Sequence, residues 1–421
     1  MVINVYSILN EKDENIILKR SAFWNMIASV LNALLSSILL FVITRVGDIN
    51  TAGIFSIASA IAYQCLTLGN FGSRTVQVSD VKKEYSFSDY FSIRIISSIL
   101  MYGLLIYYGF FSGYSHDKAL AILSFGLFKS IDAIEDIVHG EYHRQNRLDV
   151  SSFLLTVRYV IAIVSFIVIY LVSRDLVLTS FVSAGLTIVI FVLQNRKLIK
   201  KFVNEKYKFN YIKVKSLLMI LIPITFSNYV RMYAVNLPKY SIDANLSLDM
   251  QTYFNILMMP IFIITLLSDV IFRPFMVRFS VYWENKEIKE FNKLLFFQLL
   301  IVLLLTIVMV IGGYVIGLRL LEIVYGVQLM EYMTSLIILL IAGGFNTASS
   351  LCTILLTIQR KPKQIVIANT VITIIGVCIS SSLVISFGIF GASLLCLFIC
   401  FMMFVTFLGL VLFTSMKVKK R

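Results

Sequence analysis

Long apolar stretches place the first constraint on this 421-residue chain. Twelve of them are long enough to cross a bilayer as helices, because about 20 residues at a rise of about 1.5 Å span its hydrocarbon core. They lie at residues 21–44, 51–71, 89–111, 118–140, 150–172, 176–194, 216–236, 250–270, 293–317, 331–358, 365–386 and 389–415. Since backbone polar groups need internal partners in lipid, these spans should be helical. The sequence therefore predicts an all-α polytopic membrane protein with about twelve transmembrane helices.

The positively charged residues predict how the chain is oriented in the membrane. Of 37 Lys and Arg residues, 28 lie in the two termini and in alternate connections, 5 in the opposite connections and 4 within the predicted spans. Because cytoplasmic connections are enriched in Lys and Arg, both termini are predicted to be cytoplasmic. The net charge of +14 thus follows membrane topology, and we expect no binding of nucleic acid.

The densest basic connection divides the chain into two halves of six spans. The predicted organisation is a cytoplasmic N-terminal segment at 1–20, a bundle at 21–196, a basic cytoplasmic linker at 197–215, a second bundle at 216–415 and a basic tail at 416–421. Short basic hinges follow the second and the fourth span of each half, as an internal repeat predicts. We therefore expect two six-helix bundles that form a V around a central cleft, as in transporters built from repeats.

One span carries a charged stripe. On a helix that turns about 100° per residue, six polar side chains between Phe125 and Arg144 share an arc of roughly 120°. They are Lys129, Asp132, Glu135, Asp136, His139 and His143. Each ion costs about 2.5 to 3.5 kcal/mol at the centre of a bilayer, so other helices or a water-filled cavity must cover this face. Intramembrane ions indicate a functional site, and the alternative is a structural ion pair between Lys129 and Asp132.

The acids of this stripe suggest a role in coupling. Asp132, Glu135 and Asp136 lie within about one helical turn, so mutual repulsion and burial favour proton binding by at least one of them. We expect these three acids, with Lys129, to bind a proton or cation whose movement drives transport. The structural alternative is that the acids only balance nearby cations.

Buried cations and neutral polar stripes indicate a substrate site. Arginine keeps its charge when buried and binds phosphate oxygens bidentately. The residues expected to bind an anionic substrate are Arg94, Lys129, Arg158, Arg231, Asn25 and Asn32. Asn25 and Asn32 belong to a neutral stripe on the first span, and the tenth span has a similar stripe that includes Asn346 and Ser350. Close helix packing explains neutral stripes equally well, and snorkelling to the interface is the alternative for Arg94.

Common catalytic motifs are absent from the sequence. It has no G-x-x-x-x-G-K-[ST] phosphate loop, no G-x-S-x-G elbow and no H-E-x-x-H motif. His139 and His143 lie one turn apart, but the sequence shows no third metal ligand. We therefore expect a protein that is not an enzyme and that uses no cofactor or metal, with the two histidines lining a pore or a proton path.

Three segments resemble a known family of transporters. They are TRVGDINTAGIFSIASAI at 44–61, LGNFG at 68–72 and RPFMVRFSVYWENKE at 273–287. With the six-plus-six plan, they resemble the polysaccharide transporters of the multidrug/oligosaccharidyl-lipid/polysaccharide exporter superfamily, and in particular the Wzx O-antigen flippases. Relatives often carry an acid before the Phe-Gly pair, whereas this chain has Asn70, so the resemblance assigns no ion-related role there.

The resemblance implies a function. It implies a flippase that moves undecaprenyl-diphosphate-linked repeat units of O-antigen or another polysaccharide across the bacterial inner membrane by alternating access, without ATP. The implied partners are the lipid-linked oligosaccharide and, in the same membrane, a glycan polymerase and a chain-length regulator of lipopolysaccharide synthesis. Two alternatives stay open: a drug/cation antiporter of the same superfamily, which a site dominated by acids would favour, and a membrane-embedded glycan polymerase, which should carry a sizeable extramembrane loop.

Overall fold

A computed structural model of the chain describes residues 8–9, 11, 13–80, 82–203, 206–272 and 275–419. All regular secondary structure in these ranges is helical, which confirms the predicted all-α class. Parts of the predictions lie outside the described residues. They are residues 1–7, 10 and 12 of the N-terminal segment, residues 204–205 of the linker, Arg273 and Pro274 of the segment at 273–287, and the last two residues of the basic tail.

The first part of the chain forms helices separated by short connections. They are α1 Glu14–Val46, α2 Ile49–Asn70, α3 Ser73–Ser79, α4 Phe87–Phe111, α5 His116–Arg144, α6 Leu148–Ser173 and α7 Leu176–Phe202. Side chains cap several of these helices, because their oxygen atoms accept hydrogen bonds from first-turn backbone N–H groups that have no partner within the helix. The Asp48 carboxylate accepts from Asn50 and Thr51 before α2, and Ser86 and Asp89 form a capping box at α4.

The second part of the chain contains longer helices. They are α8 Tyr211–Asn245, α9 Leu248–Phe272, α10 Met276–Glu284, α11 Ile288–Gly312, α12 Leu318–Tyr325, α13 Met333–Ile358 and α14 Pro362–Lys419. A π-helical turn at Gly313–Gly317 joins α11 to α12. Gly388 breaks α14, because its φ of 56° and ψ of −134° lie outside the helical region. α14 therefore contains two successive helices.

Ten helical segments in the described part of the chain are long and apolar enough to cross a membrane. The last of these, Pro362–Val418, includes the break at Gly388 and covers two predicted spans. α5 is not among the ten because of its charges, although its 29 residues exceed the length of a span. Each of the twelve predicted spans thus corresponds to a helix. Large apolar side chains such as Phe110 and Val172 remain exposed on outer faces, as expected for a multi-pass membrane protein.

Helix packing divides the chain into two compact units, Met1–Thr225 and Phe226–Arg421. Within the first unit, α5 packs against α2, α3, α4, α6 and α7. Within the second unit, α13 packs against α9, α10, α11 and α14. α5 and α13 correspond to the fourth and tenth predicted spans, so each unit is built around a helix that carries a polar stripe.

The LGNFG segment makes a sharp turn between α2 and α3. Phe71 and Gly72 both adopt left-handed backbone conformations, with φ values of 49° and 59°. Glycine populates this region readily, whereas a bulky residue does so rarely. The turn places α3 beside α5, where Arg74 and Gln77 form hydrogen bonds to α5.

Candidate functional site

The charged stripe of α5 lies inside the first unit. The side chains of Lys129, Glu135 and His139 are at most 1% exposed, and those of Asp132 and Asp136 are 11% and 18% exposed. Neighbouring helices cover this face, which confirms the prediction that it does not contact lipid. The central position of α5 therefore allows charged side chains to lie at the depth of the membrane.

Arg158 of α6 binds two of the three acids. Its Nη2 atom donates to Asp132 Oδ1 at 2.5 Å, and its Nε atom donates to Glu135 Oε2. Lys129 forms an ion pair with the other oxygen of Asp132, as the structural alternative predicted. Asp132 is thus held by two cations from two helices.

Two tyrosine rings complete the surroundings of these cations. The Tyr159 ring centroid lies 4.5 Å from the Arg158 guanidinium carbon, and the Tyr63 centroid lies 4.7 Å from Lys129 Nζ. A cation over an aromatic face is stabilised by the ring quadrupole, more strongly when water is excluded. The tyrosines therefore lower the cost of keeping both charges buried.

Asp136 is held by two arginines from other helices. Arg74 Nη1 of α3 donates to Asp136 Oδ1 at 3.2 Å, and Arg94 Nη2 of α4 donates to Oδ2 at 2.9 Å. Arg94 also donates to the carbonyl oxygen of Gly69 and to Ser73 Oγ. The Gly69 carbonyl is available because α2 ends one residue later.

Four cations and three acids thus form two neighbouring groups of ion pairs along the charged stripe, which together we call the α5 network. Its members are Arg74, Arg94, Lys129, Arg158, Asp132, Glu135 and Asp136. Breaking a buried ion pair costs about 3–5 kcal/mol, because the remaining charge is left uncompensated. Arg94 and Arg158, which we expected to bind substrate, are therefore already paired with acids in this structure.

Sequence reasoning missed three members of this site. Arg74 lies in a basic connection, where the sequence indicates only a topological charge, and Tyr63 and Tyr159 lie within apolar spans, where the sequence gives them no distinct role. The one usable signal for Arg74 was its position two residues after the LGNFG turn, which places it at the start of a short helix.

Glu135 and His139 face each other within the stripe. Glu135 Oε1 lies 3.6 Å from His139 Nε2, which is longer than a hydrogen bond. Among the described side chains, neither Glu135 Oε1 nor either ring nitrogen of His139 has a hydrogen-bond partner. In the same residues, no group of three or more His, Cys, Asp or Glu side chains is arranged to hold a metal ion. Glu135 Oε1 and the His139 ring nitrogens are therefore buried polar atoms of the stripe without a described hydrogen-bond partner, as are Arg94 Nε and Lys129 Nζ.

Arg231 of α8 lies in the second unit and contacts neutral side chains. Its Nη2 atom donates to Ser350 Oγ at 2.7 Å and to Ser349 Oγ and Asn346 Oδ1 at 3.2 Å. Its Nη1 atom donates to Thr353 Oγ1 at 3.1 Å. All four acceptors belong to the stripe of α13, and no acidic side chain that the structure describes forms an ion pair with Arg231. Its positive charge is therefore not neutralised by a described acid.

Lys239 is a second buried cation on α8. It follows Arg231 by about two helical turns, and it is 8% exposed. Within the described ranges, no acid forms an ion pair with Lys239 either. The second unit thus holds two cations without acidic partners among its described side chains.

Asn25 and Asn32 lie apart from these contacts. Asn25 is half-buried and Asn32 is exposed, whereas Ala28 and Leu35 on the same helix are buried. Within the described residues, neither asparagine forms a hydrogen bond to the α5 network. The structure therefore brings together the predicted cations and acids of the first unit, but it does not bring these two asparagines to them.

The fold is shared with transporters of known structure. No protein-family model matches the chain. An inward-facing multidrug resistance MATE family transporter of the MOP superfamily aligns with a TM-score of 0.66 and 12% identity over 92% of this chain and 95% of that one. The outward-facing conformation of such a transporter aligns with a TM-score of 0.62 and 12% identity over 100% and 99% of the two chains. At such low identity these similarities establish the fold alone.

Two further relatives concern specificity. A MOP superfamily transporter from Pyrococcus furiosus, described as having a binding pocket of reverse polarity, aligns with a TM-score of 0.62 and 12% identity over 100% of this chain and 99% of its own. The capsular polysaccharide biosynthesis protein CapF from Staphylococcus aureus is 22% identical over 315 residues, which cover 74% of this chain and 78% of CapF. The similarity to CapF thus extends over most of both sequences.

Proposed function

We propose that the protein is a flippase that moves undecaprenyl-diphosphate-linked polysaccharide repeat units across the bacterial inner membrane by alternating access, with both termini in the cytoplasm. The MATE-like fold supports a transporter, since solved proteins with this fold have inward-facing and outward-facing conformations. The similarity to CapF and the Wzx-like segments support a polysaccharide substrate. The transported unit then passes to a glycan polymerase and a chain-length regulator in the same membrane.

The single observation that carries this proposal is the environment of Arg231. An arginine stays charged inside a membrane, and a charge at that depth is costly unless a counter-charge is near. The hydroxyl and amide groups of α13 orient the guanidinium but leave its charge in place. A diphosphate supplies two negative oxygens in the geometry that a guanidinium binds bidentately. Arg231 is therefore suited to an anionic substrate, with Lys239 as a second cation on the same helix.

A drug or cation antiporter fits these charges less well. An organic cation needs an acidic site, but each of the three acids of the α5 stripe already contacts at least one Arg or Lys side chain. Arg231 and Lys239 repel a positively charged ligand. The charge balance thus favours an anion in the second unit.

The remaining predicted residues take different roles in this proposal. Asp132, Glu135 and Asp136 form the site at which transport is coupled to a proton or cation. Arg94, Lys129 and Arg158 hold these acids, and they contact an anionic substrate only when it takes the place of a carboxylate. Asn25 and Asn32, which are half-buried and exposed, are free to contact sugar hydroxyls.

Gene deletion and complementation test the proposal. Deletion should cause the lipid-linked repeat unit to accumulate on the cytoplasmic leaflet, and the wild-type gene should clear it. Arg231→Gln should fail to clear it at an equal level of protein in the membrane. Arg319→Gln is the matched control, because Arg319 is exposed on α12. Deletion without accumulation of lipid-linked glycan would overturn the proposal, and a loss of organic-cation extrusion in its place would support the antiporter.

A further inference from the structure

The three acids of the charged stripe on α5 differ in how many cations contact them. Asp132 contacts Lys129 and Arg158, and each of its two oxygens has its own cation. Asp136 likewise contacts one arginine through each oxygen. Among the described Lys and Arg side chains, Glu135 contacts only Arg158, through Oε2, and it shares that arginine with Asp132. Glu135 is therefore the acid whose negative charge is least compensated.

The free oxygen of Glu135 faces a side chain that exchanges protons. His139 lies one turn further along α5, with its ring fully buried and Nε2 at 3.6 Å from Glu135 Oε1. Neither ring nitrogen has a hydrogen-bond partner among the described side chains. A buried polar atom normally has a partner, and an unpartnered one is a candidate for chemistry that the resting structure does not show. One proton placed between Oε1 and Nε2 satisfies both atoms.

We propose that Glu135 and His139 form the proton-binding pair that couples transport, while Asp132 and Asp136 remain ionised in fixed salt bridges. The proposal rests on the proposed transport function, and it names two of its working residues. The proton comes from a hydronium ion, whose O–H bond breaks as a bond to Glu135 Oε1 forms, and the neutral His139 Nε2 accepts a hydrogen bond from this proton. Protonation removes one negative charge from the surroundings of Arg158, so proton binding changes what Arg158 contacts.

The charged and titratable groups around this pair are fixed by other contacts. The groups that the packed helices present are Tyr63 of α2, Arg74 of α3, Arg94 of α4, Arg158 and Tyr159 of α6, and Lys129, Asp132, Asp136 and Tyr142 of α5 itself. From α7, the neutral Asn195 accepts a hydrogen bond from Tyr142. The cations are paired with acids, Tyr63 and Tyr159 lie against Lys129 and Arg158, and the Tyr142 hydroxyl donates to Asn195. Glu135 and His139 are the two members that remain to exchange a proton.

A route from water to the pair is also present on α5. His143 lies one turn beyond His139, near the end of the helix, and is half-buried. A histidine changes its protonation near neutral pH and can therefore pass protons between water and a buried group. The proton path predicted for the two histidines therefore leads to Glu135.

Infrared difference spectroscopy on the purified protein in liposomes tests the proposal without any substrate. Lowering the pH should produce the C=O stretching band of a buried protonated carboxylic acid in the wild type, in addition to the bands of exposed acids that all variants share. Glu135→Gln should remove this band, whereas Asp132→Asn and Asp136→Asn should retain it. His139→Asn should keep the band but shift its midpoint by at least a tenfold change in proton affinity. A merely structural histidine would lower the yield of folded protein and leave the midpoint unchanged.

The outcomes separate this proposal from the proposed function. A band that persists in Glu135→Gln, or that disappears in Asp136→Asn, would overturn the pair. If Glu135→Gln does not fold, the midpoint of His139→Asn decides the question, and an unchanged midpoint overturns the proposal. Because the spectra involve no glycan, they can fail while the complementation test succeeds, and the reverse is equally possible.

Discussion

The central helices of the two units hold charge in opposite ways. Around α5, cations and acids are matched across four helices, and the salt bridges leave little net charge on any one acid except Glu135. Beside α13, Arg231 is surrounded by hydroxyls and one amide oxygen, with no acidic partner among the described side chains. Paired charges stabilise a unit but are not available to a ligand. A charge oriented by neutral groups is less stabilising and remains available.

This difference predicts separate effects on stability and on transport. Removing one member of a buried ion pair leaves its partner uncompensated, which is costly for folding. Removing Arg231 leaves only neutral acceptors behind, which cost less when they lose a partner. Substitutions in the first unit should therefore affect folding most, and those around Arg231 should affect transport most.

The largest effect is expected from Asp136→Asn. This change leaves Arg74 and Arg94 without their shared carboxylate, so the free energy of unfolding should fall by about 3–5 kcal/mol. Denaturant unfolding in detergent measures the change. A loss below about 1 kcal/mol would show that the network is not structural and would break the comparison.

The second-largest effect is expected on the transport rate of the Arg231→Gln variant. Loss of a charge-assisted contact to a diphosphate is worth about 1.5–3 kcal/mol, which corresponds to roughly a 10- to 100-fold lower rate at limiting substrate. The unfolding free energy should change by less than that of Asp136→Asn. Transport of lipid-linked glycan into the periplasmic leaflet measures the rate, with Arg319→Gln as control. Normal transport by a folded Arg231→Gln protein would contradict the role of this arginine.

A smaller effect is expected from Ser350→Ala. Ser350 Oγ accepts the shortest of the hydrogen bonds from Arg231, at 2.7 Å, so its loss should loosen the guanidinium. A hydrogen bond from a charged donor to a neutral acceptor contributes about 1.5 kcal/mol at the low end. Because the other three acceptors of Arg231 remain, transport should fall by about threefold to tenfold. Ser380→Ala is a suitable control, since Ser380 is a buried serine of the second unit whose described hydrogen bond is to Val377 of its own helix. Equal effects of the two substitutions would show that the change acts through packing.

The smallest effect concerns Asp80, outside the membrane spans. Burial raises the pKa of the Asp80 carboxyl. Hydrogen bonds from the backbone N–H groups of Tyr85 and Glu84 and from the Tyr90 hydroxyl lower it by a larger amount, so the pKa lies below the ordinary value of 3.8. Because the folded pKa is the lower one, this stabilisation is complete above the unfolded pKa and is lost as pH falls through the folded pKa.

Asp80→Asn should therefore cost about 1 kcal/mol at pH 7 and progressively less below about pH 4. This difference is measured from the unfolding free energies of the variant and the wild type at pH 7 and at a pH below about 4. A cost that stays constant on acidification would indicate that the carboxylate charge is not the cause. The comparison is sharpened because this acid, unlike Asp136, is bound mainly by neutral donors.

Much of this fold is predictable because it depends on local periodicity. The twelve spans and the covered stripe of α5 follow from apolar runs and helical spacing in single segments. The stripe on α13 also identified two of the Arg231 acceptors, Asn346 and Ser350.

The partners of each charge were less predictable, because they come from distant parts of the chain. Arg74 is 62 residues from Asp136, and its approach depends on the left-handed backbone of Phe71 and Gly72. The same limit applies to Asn25 and Asn32, whose stripe resembles that of α13 but faces a different environment. A pattern on one helix indicates which face is polar, but it does not show which helix supplies the partner.

Binding of a prenyl diphosphate to the purified protein tests the contrast between the two units most directly. Farnesyl diphosphate should raise the melting temperature of the wild type in detergent, and farnesol should not, because a ligand at 100 times its Kd stabilises a protein by about 2.7 kcal/mol. Asp136→Asn should melt at a lower temperature but show the same ligand-induced shift, whereas Arg231→Gln should melt near the wild type and show no shift. A full shift in Arg231→Gln, or a shift lost in Asp136→Asn with its melting temperature unchanged, would contradict the account.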